Sequence, residues 1–183
     1  DEPEPQPGPG EALMRVEACG ICGSDMHGYH GHDPRRVPPL IMGHEASGWI
    51  ETGPRRGQRV ALNPLVTCMQ CDACLGGQPQ ICARRQNISL TPRPGAFAEL
   101  VCAPEINLVP IPDELDFVAA ALAEPIAVSW HAVQLGARLM HRPLAAARVL
   151  VLGAGTIGLT CALALRLRGT AEIAIAEPHP ARR

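Results

Sequence analysis

Four cysteines crowd into one short stretch of this 183-residue chain, as Cys68-x2-Cys71-x2-Cys74-x7-Cys82. Four thiolates on so short an excursion can close a tetrahedral, all-thiolate zinc site with no position open to substrate. The role of such a site is to staple a loop that has little core of its own. An iron–sulfur cluster is the competing chemistry. Its ferredoxin run has three residues before the last cysteine and a proline after it, whereas here seven residues precede Cys82 and Ala83 follows. Structural zinc is the better fit. A second set of chemically capable residues is dispersed. "CGICGSDMH" (19–27) holds Cys19 and Cys22, then Ser24, Asp25 and His27. Its spacing alone suits a redox pair, half a zinc finger, or a site in which one cysteine matters. "GHEASG" (43–48) sets His44 beside Glu45, in isolation most often an ordinary hydrogen-bonded pair. "AEPIAVSWHAV" (123–133) adds Glu124. A catalytic zinc takes about three protein ligands of mixed S, N and O type and keeps one position open. Cys22, His44 and Glu124 supply that set from three separate segments.

The third constellation is "VLVLGAGTIG" (149–158), in which Gly153-x-Gly155-x-x-Gly158 follows an apolar strand and opens a helix. The first glycine permits a tight turn and the second lets backbone amides approach a pyrophosphate. The third lets helix and strand pack closely, while the helix N-terminus attracts the anion. Thr156 and Ile157 fill the positions before the third glycine. Glu177, 19 residues beyond Gly158, stands where a carboxylate would accept hydrogen bonds from an adenosine ribose. A carboxylate there repels a 2′-phosphate and favours NAD over NADP, a preference that Arg182 and Arg183 weaken.

The elements that must position these residues change in character along the chain. "EALMRVEA" (11–18), "MGHEASGWIET" (42–52) and "GQRVALNPLV" (57–66) read as short strands between Gly and Pro. "GAFAELVCAPEINLVPIP" (95–112) reads as a further strand pair with edge prolines. From residue 113 the pattern is alanine- and leucine-rich and helical, interrupted at Pro125, with Asp113 as the expected cap and Asp116 inside the first turn. After Pro143 comes one strand–turn–helix–strand unit that Glu177 closes. The expected class is α/β, with a mostly β part followed by the first βαβ unit of a nucleotide-binding fold.

Composition excludes several functions. No apolar run reaches the roughly 20 residues that span a bilayer, and "DEPEPQPGPG" is the opposite of a signal or transit peptide. The net charge is −2 and the arginines are scattered, which argues against nucleic acid or an anionic membrane as main partner. There is no lysine, which removes a Walker P-loop lysine, a lysine Schiff base and a Tyr/Lys catalytic pair. Eight cysteines without any sign of secretion point to metal rather than disulfides and to a cytoplasmic protein.

Taken in order, "CGICGSDMH", "GHEASG", the four-cysteine lobe, "AEPIAVSWHAV" and "GAGTIG" resemble the zinc-dependent medium-chain dehydrogenase/reductases, and within them the polyol (sorbitol/iditol-type) branch. The resemblance implies a GroES-like zinc-binding catalytic domain over residues 1–125, incomplete, with its structural zinc lobe at 68–82. Residues 126–183 would form the connecting helix and the start of an NAD-binding Rossmann domain. It implies that Cys22 and His44 are catalytic-zinc ligands, that Glu45 sits behind or on the metal, and that Glu124 takes a further ligand place. Asp25 would orient the ligand histidine, as metal-bound imidazoles require. Ser24 and His27 would form a proton relay, and Cys19 would be a small packed residue beside the site. The implied reaction is hydride transfer from a secondary, polyol-type alcohol to NAD, with two zinc ions per chain and a homo-oligomer at full length. Threonine, a vicinal diol or a sugar phosphate is the alternative substrate. A non-catalytic zinc-binding fragment is the alternative from another class. Members of that family are nearly twice as long, so the sequence reads as a piece of a longer protein.

Overall fold

The structure is a computed structural model and describes residues 2–183; Asp1, where the expected first domain begins, lies outside them. The chain divides into two compact units, Asp1–Glu124 and Pro125–Arg183.

The first unit is built on β1 (Glu11–Gly20), α1 (Gly23–Tyr29), β2 (Glu45–Ile50), β3 (Arg59–Leu62), β4 (Leu65–Val66), α2 (Asp72–Leu75), β5 (Gln86–Asn87), β6 (Leu100–Pro104), β7 (Leu108–Pro110) and α3 (Phe117–Ala121). Five strands form one antiparallel sheet in the order β6-β1-β2-β3-β7, and β4 pairs with β5 separately. Alternation along β1 puts Ala12 and Met14 inside. They pack with Ile50, Val60, Ile88 and Leu108, all essentially without solvent contact. A register shift in β1 between Val16 and Ala18, opposite β2, bends the strand just before the cysteine-bearing turn.

Two expectations need correction. Residues 95–112 do form two strands, but β6 and β7 are not partners. They occupy opposite edges of the sheet, against β1 and β3, with a 3-10 turn at Glu105–Asn107 between them. Pro104 and Pro110, which lack the N–H an inner strand would need, are accommodated because both strands are edges. Asp113, in turn, does not cap the helix that follows. Asp116 does, its Oδ1 accepting the Ala119 amide at 2.7 Å. The helical stretch also breaks at Leu122, ahead of Pro125, which sits in the first turn of the next helix. A first-turn amide has no partner within the helix, so proline costs nothing there.

The second unit takes up most of α4 (Ala123–Leu139), then β8 (Arg148–Leu152), α5 (Thr156–Leu167) and β9 (Glu172–Ala176). β8 and β9 are parallel, in register from Arg148↔Glu172 to Leu152↔Ala176. Ser129 on α4, fully buried, shares a 2.6 Å hydrogen bond with Thr160 on α5. The mixed α/β class is as expected. No helix among the described residues is long and apolar enough to cross a membrane.

Candidate metal centres and nucleotide site

The turn from β1 into α1 fixes the first site. β1 ends at Gly20, and Cys22 becomes the residue that caps α1. The Cys22 amide donates to Asp25 Oδ2 at 3.0 Å, and Cys22 Sγ accepts the Ser24 amide at 3.5 Å. β1–β2 pairing places Glu45 opposite Gly20 and Ala46 opposite Cys19. Strand register alone therefore delivers His44 and Glu45 to the cysteine turn. Donor atoms of Cys22, His44 and Glu45 all lie within 4.8 Å of one another, with Glu45 buried and the other two half-buried. The set offers one sulfur, one nitrogen and one carboxylate oxygen, a mixture suited to an open zinc site. His44 Nδ1 is buried, lies 3.5 Å from Asp25 Oδ1 and makes no hydrogen bond. A buried ring nitrogen without a hydrogen-bond partner is an orphaned polar atom beside the trio, as expected where an ion is to be held.

Glu124 lies outside this gathered trio, though it is close enough to interact with the charges of His44, Glu45 and Asp25. Burial pushes its carboxyl up from the ordinary value, with Glu45 and Asp25 acting in the same direction and His44 against. Burial also works to raise Asp25, but the His44 ring beside it, the Cys22 amide and the Arg36 charge outweigh it and hold that carboxyl down. Ser24 and His27 are one helical turn apart on α1 and share a face. Ser24 is half-buried and His27 exposed. Cys19 packs against the core, and burial pushes its thiol up to about 11.

Sequence reasoning missed Arg36. Its side chain is only 5% exposed, and it donates to Asp25 Oδ1 (3.0 Å), Ser24 Oγ (3.0 Å) and Ser89 Oγ (2.7 Å). In "HDPRRVPP" it reads as a solvated loop charge, and nothing local signals otherwise.

The four-cysteine lobe hangs between β4 and β5. Its Sγ atoms stand 3.5–3.8 Å apart along four edges, Cys68–Cys74, Cys71–Cys74, Cys71–Cys82 and Cys82–Cys68. A disulfide needs about 2.0 Å, whereas Zn–S bonds of about 2.3 Å in a tetrahedron set sulfurs about 3.8 Å apart. The lobe fits zinc. The Gln70 backbone amide pulls the Cys68 thiol down, to about 6, and Arg84 Nη2 lies 3.2 Å from the same sulfur.

In the second unit, Gly153 has φ +100° and Gly155 caps α5 without a side-chain hydrogen bond. A Cβ on Gly158 would run into the Gly153 carbonyl, so the third glycine is needed for the turn to close. Thr156 and Ile157 form the first turn of α5. Glu177 follows β9 directly. Its carboxylate accepts the Ala154 amide (2.9 Å), the His179 amide (2.7 Å) and Arg182 Nη2 (3.1 Å), which hold it down to about 2. Gly153, Glu177, Arg182 and Arg183 line one cavity of about 830 Å³. A larger cavity of about 1070 Å³, lined by Gln86, Arg93, Phe97 and Cys102 among others, contains none of the predicted site residues.

Residues 8–113, more than half of the chain, match the family model of the alcohol dehydrogenase GroES-like domain. The chain is 38% identical over 185 residues to L-galactonate-5-dehydrogenase of Escherichia coli, covering 98% of this chain and 52% of that protein. It is 34% identical over 191 residues to L-threonine 3-dehydrogenase of Rhizobium etli, covering 100% and 53%. Among solved structures, a candidate zinc-binding dehydrogenase from Sinorhizobium meliloti bound to NADP superposes with a TM-score of 0.86 at 34% identity, covering 98% of this chain and 52% of that one. The chain thus spans about half the length of the curated relatives it matches.

Proposed function

The chain belongs to the family of the alcohol dehydrogenase GroES-like domain, and from that premise we propose that the protein is a zinc-dependent oxidoreductase acting on a secondary alcohol of polyol type, with NAD as hydride acceptor. The observation that carries the proposal is the convergence of Cys22, His44 and Glu45 donor atoms within 4.8 Å, supported from behind by Asp25. We assign residues 1–125 to a GroES-like catalytic domain and 126–183 to a connecting helix and the start of a Rossmann domain. A cytoplasmic setting suits eight free thiols.

When bound, zinc lowers the pKa of an alcohol hydroxyl and NAD accepts the hydride. The rest falls to the chain itself. Cys22, His44 and Glu45 hold the metal, with Glu124 as the further carboxylate in reach of the same charges. Ser24 accepts the substrate proton, and His27, exposed and one turn along, passes it to solvent. Cys68, Cys71, Cys74 and Cys82 hold a second zinc without an open position. Gly153, Gly155, Thr156, Ile157 and Gly158 shape the pyrophosphate turn, and Glu177 takes the ribose. The names of both curated relatives denote oxidation of a secondary hydroxyl, and one of those substrates is a polyhydroxy acid, which supports the substrate class.

The test is a panel of sugar alcohols, sugar acids, threonine and simple secondary alcohols offered to the zinc-loaded protein with NAD or NADP, following reduced nicotinamide. Oxidation of a polyhydroxylated substrate with NAD, abolished by Cys22→Ser, is expected. Failure of every alcohol with both coenzymes would sink the proposal.

A further inference from the structure

We propose that Arg36 is a positioning residue of the Cys22–His44–Glu45 centre, locking Asp25 to the ligand turn and fixing the direction in which Ser24 passes a proton. The second half rests on the dehydrogenase reading above; the first does not.

A guanidinium donates hydrogen bonds and never accepts one, and it stays charged at any working pH. Arg36 Nη1 donates to Asp25 Oδ1, while Asp25 Oδ2 accepts the Cys22 amide. With both oxygens tied, the carboxylate cannot turn away, and Oδ1 stays facing His44 Nδ1. One fork of Arg36 therefore registers two of the three gathered donors against each other through Asp25. The other fork, Nη2, donates to Ser24 Oγ. A hydroxyl has two lone pairs and one proton. Arg36 occupies one lone pair with a hydrogen it does not release, which leaves the second to receive the substrate proton. The hydroxyl's own proton is then free only to move onward. Proton flow back into the arginine is closed, so the relay runs outward.

Two features show that the fold is arranged around this side chain. Ser89 is buried at φ +81°, a left-handed conformation unusual for a residue other than glycine, and it presents both its carbonyl (3.2 Å) and its Oγ (2.7 Å) to Nη1. On α1, a Cβ at Gly28 would collide with Arg36 Cδ and come within 3.3 Å of its Nε. An arginine that only neutralised Asp25 would need neither the strained serine nor the missing side chain.

Removing a buried charge leaves its partner uncompensated, so the test uses Arg36→Lys, which keeps the charge and loses the fork, and the milder Ser89→Ala. Full chains are loaded with Co2+ under chelator competition, reading the thiolate-to-cobalt absorption of each site. Kinetics follow kcat, KM and the solvent deuterium effect in wild type, Arg36→Lys, Ser24→Ala and the double variant. Support partners of metal ligands are typically worth about 10–100-fold in affinity or activity. Arg36→Lys should weaken Co2+ at the Cys22 site by about that factor and leave the four-cysteine site alone, with Ser89→Ala moving the same way by less. kcat should fall at near-constant KM, and Arg36→Lys should add nothing once Ser24 is alanine. Unchanged Co2+ affinity in both single variants overturns the Asp25 half. Additive losses in the double variant overturn the Ser24 half. If the wild type oxidises no alcohol, the dehydrogenase reading falls and the cobalt affinities alone judge Arg36.

Discussion

Gly20 is the residue through which the candidate metal centre can be disturbed without touching a donor. It lies opposite Glu45 in the β1–β2 register, and a Cβ there would collide with Glu45 Oε2 and sit 3.2 Å from Glu45 Cβ and 3.4 Å from its Cδ. Only the Oε2 contact is a true clash, and the far end of a glutamate can swing to relieve it, but that swing takes the carboxylate from its place beside Cys22 and His44. Gly20→Ala should therefore weaken metal binding at this site by about 10–100-fold, equivalent to about 1.4–2.8 kcal/mol. Overpacking adds a folding cost of about 1–3 kcal/mol. The assay is Co2+ competition at the Cys22 site, with thermal unfolding of the metal-free chain to separate the two effects. Glu45→Ala is the decisive control. If the glycine works by giving the carboxylate room, Glu45→Ala should cost as much affinity alone as in combination with Gly20→Ala. Full affinity in Gly20→Ala, or strictly additive losses in the pair, would refute the reasoning.

Two further predictions concern the other sites. Glu177 is held down to about 2 from an ordinary 4.5, so its contribution to stability is complete above about 4.5 and is lost as the pH falls through about 2; Glu177→Gln should flatten the acid limb of stability between pH 5 and 2 in denaturant titrations and shift the ratio of NAD to NADP binding toward NADP, and an unaltered limb would remove the carboxylate's role at the glycine turn. Cys82 has no solvent exposure, and Cys82→Ser should lower the zinc bound per chain by one ion and open the lobe to proteolysis between residues 68 and 82; an unchanged zinc content by elemental analysis would count against a metal-closed lobe.

What could be read in advance depended on how far apart in the chain the cooperating residues lie. The four-cysteine lobe is legible because its ligands are near neighbours, and spacing alone limits the metals they suit. Cys22, His44 and Glu45 needed the order of several motifs, since nothing local says that β1 and β2 will pair with Gly20 opposite Glu45. Asp113 and Asp116 are equally good cap residues by type. Only the structure shows whose oxygen reaches an unpaired amide three residues on. The separation of β6 from β7 was hidden because the partners of both strands lie dozens of residues upstream. Arg36 was invisible for a related reason: its burial depends on Ser89 and on the gap at Gly28, and no periodicity marks a loop arginine destined for the interior.

The position of β1 between β2 and β6 bears on the order of events in time. Arg15 must find Leu100, and Glu11 must find Pro104, before the central strand has both neighbours. A gap of that size makes closure slow, because the entropy of bringing distant ends together is spent before any contact repays it. The four-cysteine lobe lies inside that gap. An ion captured there while the chain is still open would tie residues 68–82 into one knot and shorten the search that remains.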